Sequence, residues 1–135
     1  MLKQNELQTL YNIVELEGKY SEDDLVISTK DSIMDSIQPI ATSTIGDGID
    51  DIYTWFSTSN CGVIFNLSGC LYIEKSAKKK KLLNNLVDAL KEYLVSETNF
   101  NADIRVSFDS EEEVRCSTNL FSLGISIKAL AEIDL

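Results

Sequence analysis

The chain has no histidine at all and a single proline, Pro39. Without histidine, neither a Ser-His-Asp nor a Cys-His arrangement can be built from these residues. Zinc sites of the Cys2His2 and Cys3His kinds are excluded as well. Three cysteines are present, Cys61, Cys70 and Cys116, with no C-x-x-C spacing. An odd count without motif spacing argues against a disulfide framework and for a reducing, cytoplasmic compartment. The same reasoning makes all three small core residues. Neither G-x-G-x-x-G nor G-x-x-x-x-G-K-[ST] occurs. The longest apolar stretches, such as residues 62–65, are far too short to span a bilayer. The first six residues open a polar amphipathic segment, not a signal peptide.

What is present is an ordinary complement for one domain. The 135 residues are 44% hydrophobic and 25% charged, enough apolar material for a core. Acidic residues number 22 against 12 basic ones, a net charge of -10. That balance disfavours a DNA- or RNA-binding groove, which draws on clustered Lys and Arg. Gly46-Asp47-Gly48-Ile49-Asp50-Asp51 has the look of an acidic cation loop. Its oxygens are mis-spaced for an EF-hand and no Glu closes a 12-residue loop, so it reads as a turn. The carboxylate pairs Asp23-Asp24 and Asp50-Asp51 and the run Glu111-Glu112-Glu113 project in different directions, as solvated surface does. No catalytic acid/base pair, cofactor site or metal site is expected, and the chain reads as a non-enzyme.

Hydrophobic spacing sets the element order. Leu7, Leu10, Tyr11 and Val14 predict an amphipathic helix over residues 3–18, with Gly18 as its stop. A shorter helix is expected over 29–37, with Ser28 as candidate cap, Ile33, Met34 and Ile37 as its apolar face, and Pro39 ending it. Residues 41–48 form the best loop in the chain. Residues 52–56 fit either a strand or a helical face, and their β-branched and aromatic content favours a strand. The runs 63–65 and 71–73 make either a hairpin or one long bent strand. Leu82, Leu83, Leu86, Val87, Leu90, Tyr93 and Leu94 give the most secure helix, 76–95, with Ser76 as its cap. A half-buried strand is expected at 102–109, and an acidic turn at 109–113. Finally Phe121, Leu123, Ile125, Ile127, Ala129, Ala131 and Ile133 alternate with polar or small residues, predicting a long antiparallel strand with one buried face. The sum is a single α+β domain over 1–135, an antiparallel sheet with helices packed on one face.

Residues 62–133 resemble the tail-terminator, or tail-completion, proteins of long-tailed, lambda-like bacteriophages. The resemblance is carried by Leu71-Tyr72-Ile73-Glu74 ending a strand, then a helix with Leu-Leu-x-x-Leu-Val-x-Ala-Leu at 82–90. Ile104-Arg105-Val106-Ser107-Phe108-Asp109-Ser110, an acidic segment, Val114-Arg115 and a final strand from Gly124 to Glu132 follow. Residues 20–58 lack the short Pro-led strand expected after the first helix. The resemblance implies a non-enzymatic virion protein, assembled in the host cytoplasm into the tail. It would form a hexameric ring of identical subunits, halt the tail tube and meet the head connector. Its partners would be itself, the tail tube protein and the head-connector protein, with no membrane and no specific nucleic acid. An acidic subunit suits such a ring, since like charge lets DNA pass without sticking.

One charge feature stands apart. Lys78, Lys79, Lys80 and Lys81 form the only basic cluster, at the start of the 76–95 helix, where the partial positive charge of the helix end makes lysine unfavourable. It is either a solvated face or an electrostatic contact with an acidic patch on a neighbouring subunit, with Glu111, Glu112 and Glu113 as the candidate acids. The competing function is a small acidic inhibitor, a toxin-immunity or anti-defence protein. It would act in the cytoplasm, blocking a basic nucleic-acid-binding partner through Asp23, Asp24, Asp50, Asp51 and residues 111–113.

Overall fold

The computed structural model describes residues 2–74, 78–98, 100, 111–113 and 120–133. Among the described residues, three helices, α1 (Gln4–Glu17), α2 (Asp24–Ile45) and α3 (Lys79–Glu97), accompany four strands, β1 (Asp50–Thr58), β2 (Gly62–Glu74), β3 (Glu111–Glu113) and β4 (Leu120–Glu132). The strands form one sheet in the order β1-β2-β4-β3, every neighbouring pair antiparallel. The α+β class expected from the sequence is the fold observed.

The sheet is built around an unbroken β2–β4 ladder from Gly62 opposite Glu132 to Glu74 opposite Leu120. The runs 63–65 and 71–73 are therefore one 13-residue strand, and the hairpin lies between β1 and β2 instead. Pairing places Val63, Phe65, Leu67 and Leu71 opposite Ala131, Ala129, Ile127 and Leu123. All eight side chains are buried, so the two strands share one apolar face. Gly69 stands opposite Ile125, and its missing side chain makes room for Ile49, whose Cγ2 is 2.6 Å from where a Cβ would be.

The helices supply the other half of the core. Leu7, Leu10 and Val14 of α1, Val26, Ile33, Ile37 and Ala41 of α2, and Leu83, Leu86, Leu90 and Leu94 of α3 are buried in the same cluster as the inner face of the sheet. Phe56, Phe65 and Phe100 meet at its centre, with ring centroids 5.7 to 6.2 Å apart. This spacing is typical of favourable aromatic packing.

Several local expectations are corrected. The second helix starts at Asp24 and runs 22 residues, straight through Pro39, and takes in 41–45 of the expected loop. Its cap is Asp23, whose carboxylate accepts the Leu25 N–H at 2.9 Å, whereas the Ser28 hydroxyl donates to the Leu25 carbonyl. Pro39 removes one helical donor, but it is exposed while Ile37 and Ala41 on either side are fully buried. Burial of the flanking turns outweighs the lost bond. The helix stops at Gly46, which takes the left-handed conformation (φ 87°) and donates to the Thr42 carbonyl at 3.0 Å. The Gln38 side chain then clamps the connection, accepting from the Ile49 N–H and donating to the Ile49 carbonyl, both at 2.8 Å. Residues 52–56 are strand, part of β1. The third helix begins at Lys79 with Lys78 in the cap position, while Ser76 lies outside the described residues. The expected strand at 102–109 also lies outside them. Of the cysteines, Cys61 is exposed in the β1–β2 turn and Cys70 is half-buried; both are free thiols, and Cys116 lies outside the described residues. Turn position, not packing, accounts for Cys61.

Candidate functional site

The lysine cluster opens α3. Lys78, Lys80 and Lys81 are exposed, and with Asn84 and Asn85 they edge a shallow surface depression. The helix itself does not offset the charge, since the Lys78 side chain caps nothing and the first turn of α3 contains no acid; Asp47 and Glu74 line a separate pocket with Leu82 of that turn. The far end of the helix is reversed in the same sense. Its last turn contains no basic residue and ends on the exposed Glu97. Cations therefore stand at the positive end of the α3 dipole and a carboxylate at the negative end, the unfavourable placement in both cases.

Glu111, Glu112 and Glu113 are not in a turn. They form β3, paired with Leu123, Ser122 and Phe121 of β4. Phe121 is opposite Ile73, and Glu74 opposite Leu120, so β3 lies at the same end of the sheet from which the chain leaves β2 toward Lys78. The two sequence-derived clusters thus belong to one end of one subunit. The other acidic pairs are dispersed. Asp23 is used as the α2 cap, and Asp50 and Asp51 open β1, where Asp51 has φ 51° beside a break in the β1–β2 register. Among the described residues no group of three or more His, Cys, Asp or Glu is placed to hold a metal ion. No described helix is long and apolar enough to cross a membrane.

Two features were missed by sequence reasoning. The first is the outer face of the sheet. The rings of Tyr53 and Trp55 of β1 pack at a tilt of 33° with centroids 5.0 Å apart, Ile64 is paired with Leu130, and Tyr72 with Ser122. Tyr53 is exposed and the other four large residues are only half-buried. Asn66 sits among them, its amide donating to the Trp55 and Ile64 carbonyls and the Ser57 hydroxyl at 3.0 to 3.3 Å. Partial burial raises the pKa of the Tyr72 hydroxyl above the ordinary phenol value; Cys70, Asp51 and Asp50 push the same way, and a hydrogen bond with Ser122 opposes them. Tyr53 is raised too, chiefly by partial burial and then by Tyr20. The available signal was the complement of the buried alternation, residues 53, 55, 64 and 72.

The second is a groove of about 240 Å³ where the starts of α1 and α2 meet the end of α3. Leu25, Ile33 and Phe100 give it an apolar floor, Glu6 and Glu97 contribute carboxylates, and none of its lining residues is basic. One Glu6 oxygen already accepts the Lys3 N–H at 3.1 Å, which holds that carboxylate in place. The acids come from helices far apart in sequence, so no linear motif announces them.

No protein-family model matches this chain, and no curated protein sequence matches it.

Proposed function

We propose that the chain is a non-enzymatic assembly subunit of a virion, a tail terminator that joins identical copies into a ring closing the tail tube and facing the head connector. The observation that carries this is the two-sided sheet. One face bears the helices and the core, and the other presents Tyr53, Trp55, Ile64, Tyr72 and Leu130 at the surface. Aromatic residues of this kind are enriched where proteins pack together. The order of strand, long helix and final long strand also agrees with the resemblance over 62–133.

The inhibitor alternative draws on the -10 charge. It loses some ground because Asp23, one of its contacts, is engaged in capping α2. Sedimentation velocity and negative-stain microscopy, with and without tubes polymerised from the tail tube protein of the same virion, test the proposal. Uniform closed particles or binding to tube ends support it. A strict monomer that ignores tubes and binds a basic partner instead overturns it.

A further inference from the structure

We propose that neighbouring copies meet head to tail along α3, the lysines at the start of α3 in one copy entering the Glu6–Glu97 groove of the next. This deepens the assembly reading and rests on it. The argument begins with the two ends of one helix. α3 spans 19 residues, or about 28 Å. It carries lysines with no acid in their own helical turn at one end and Glu97 beside an acid-lined groove at the other. Each end is unfavourable alone, and each offers what the other lacks. A contact between two different patches of the same molecule is heterologous, the type that builds rings or filaments rather than two-fold dimers.

The groove suits a lysine. Its floor of Leu25, Ile33 and Phe100 accepts the methylene stem, while Glu6 and Glu97 meet the ammonium. Glu111, Glu112 and Glu113 of a neighbour are the poorer acceptor. They lie at the same sheet end as that neighbour's own lysines, so a docking cluster would meet like charge there. Nothing basic lines the groove.

The test substitutions all improve the isolated helix. Lys80→Glu with Lys81→Glu puts acid in the first turn of α3, and Glu97→Lys puts a cation in the last, both favoured by the helix dipole. The thermal midpoint of each variant should hold or rise while assembly falls, opposite signs that separate a lost contact from a lost fold. Sedimentation velocity of the full chain in low salt should give a dissociation constant raised about 10-fold or more for each variant. Mixing the two variants one to one should restore pairwise association, because the four intact lysines of the Glu97→Lys variant then meet the intact Glu6–Glu97 groove of the other. Glu97→Gln should give an intermediate loss. Variants that associate as the parent does, or a mixture that stays dissociated, overturn the contact while leaving the assembly reading intact. A parent chain that neither self-associates nor binds tubes overturns both.

Discussion

Replacing Ile125 by aspartate is the sharpest test of how the sheet divides inside from outside. Ile125 is 2% exposed, is paired with Gly69 of β2, and has Leu123 and Ile127 along the same face of β4. Removing the buried aliphatic side chain alone costs about 2–5 kcal/mol, as in Ile→Ala substitutions. A carboxyl in that position resists ionisation. A pKa raised by about 3 units adds roughly 4 kcal/mol at neutral pH. The sum, about 6–9 kcal/mol, rivals the whole stability of a typical domain, about 5–15 kcal/mol. Ile125→Asp should therefore be largely unfolded at pH 7 by circular dichroism and should recover part of its stability near pH 4, where the acid is neutral. The graded variant Ile125→Ala, at about 3 kcal/mol, should lower the urea midpoint by about 1.5 M if the urea dependence is near 2 kcal/mol per molar. Ser126, one residue on and facing the other way opposite Ser68, is the control. Ser126→Asp should change stability by about 1 kcal/mol or less. Because a strand alternates with period two, a one-residue error in register exchanges the two outcomes. A folded Ile125→Asp beside an unfolded Ser126→Asp would refute the assigned faces.

Three further outcomes follow from the same structure. Pro39→Ala should stabilise the protein, since an interior proline costs a helix about 3 kcal/mol and the gain is offset by about 1 kcal/mol of extra freedom in the unfolded chain; a thermal midpoint that fails to rise would mean that α2 is interrupted there. Asp23→Ala should cost about 0.5–2 kcal/mol through the lost cap, while Asp23→Asn should cost much less, which denaturant titration can read. Stability should hold below about pH 10 and decline above it, because the raised pKa values of Tyr11, Tyr53 and Tyr72 leave the folded chain holding protons that the unfolded chain has released; Tyr72→Phe should soften that decline in an alkaline series of melts.

The parts of this fold that were legible in the sequence are those where burial and local pattern agree. β4 alternates over its whole length, and its apolar set is the buried set from Leu123 to Ala131. The stripe of α3 was readable for the same reason. Local rules failed where tertiary burial overrode them. Pro39 predicted an end to α2, yet Ile37 and Ala41 are both fully buried and carry the helix past it. Three glutamates in a row predicted a turn, yet pairing with β4 makes them strand, since strand preference depends on context more than on residue type. The outer sheet face was not legible because β1 and β2 do not alternate cleanly between apolar and polar, so Trp55 and Tyr72 read as strand formers without being assigned to a face. The Glu6–Glu97 groove joins helices some ninety residues apart, which no periodicity encodes.

Whether the lysine cluster needs a neighbour turns on how much of its charge the subunit offsets by itself. Strands are about 4.8 Å apart, so β3 stands about 10 Å across the sheet from β2, at the end where the chain leads to Lys78. Opposite charges at 10 Å in water attract by only about 0.4 kcal/mol. At physiological salt that distance already exceeds the screening length of about 8 Å, which weakens the attraction further. Each cation at a helix N-terminus is disfavoured by about 0.3–1 kcal/mol, and four of them occupy residues 78–81. The acidic strand of the same subunit therefore cancels a fraction of the cost and leaves the remainder. Glu97 cannot supply it, standing a helix length away at the opposite end of α3. A carboxylate delivered in contact by another copy can, because attraction at 4 Å in a partly desolvated groove is several times that at 10 Å in water. The excess charge at the two ends of α3 is thus a reason for association in the monomer itself, and it should make assembly fall as salt is raised while the fold holds.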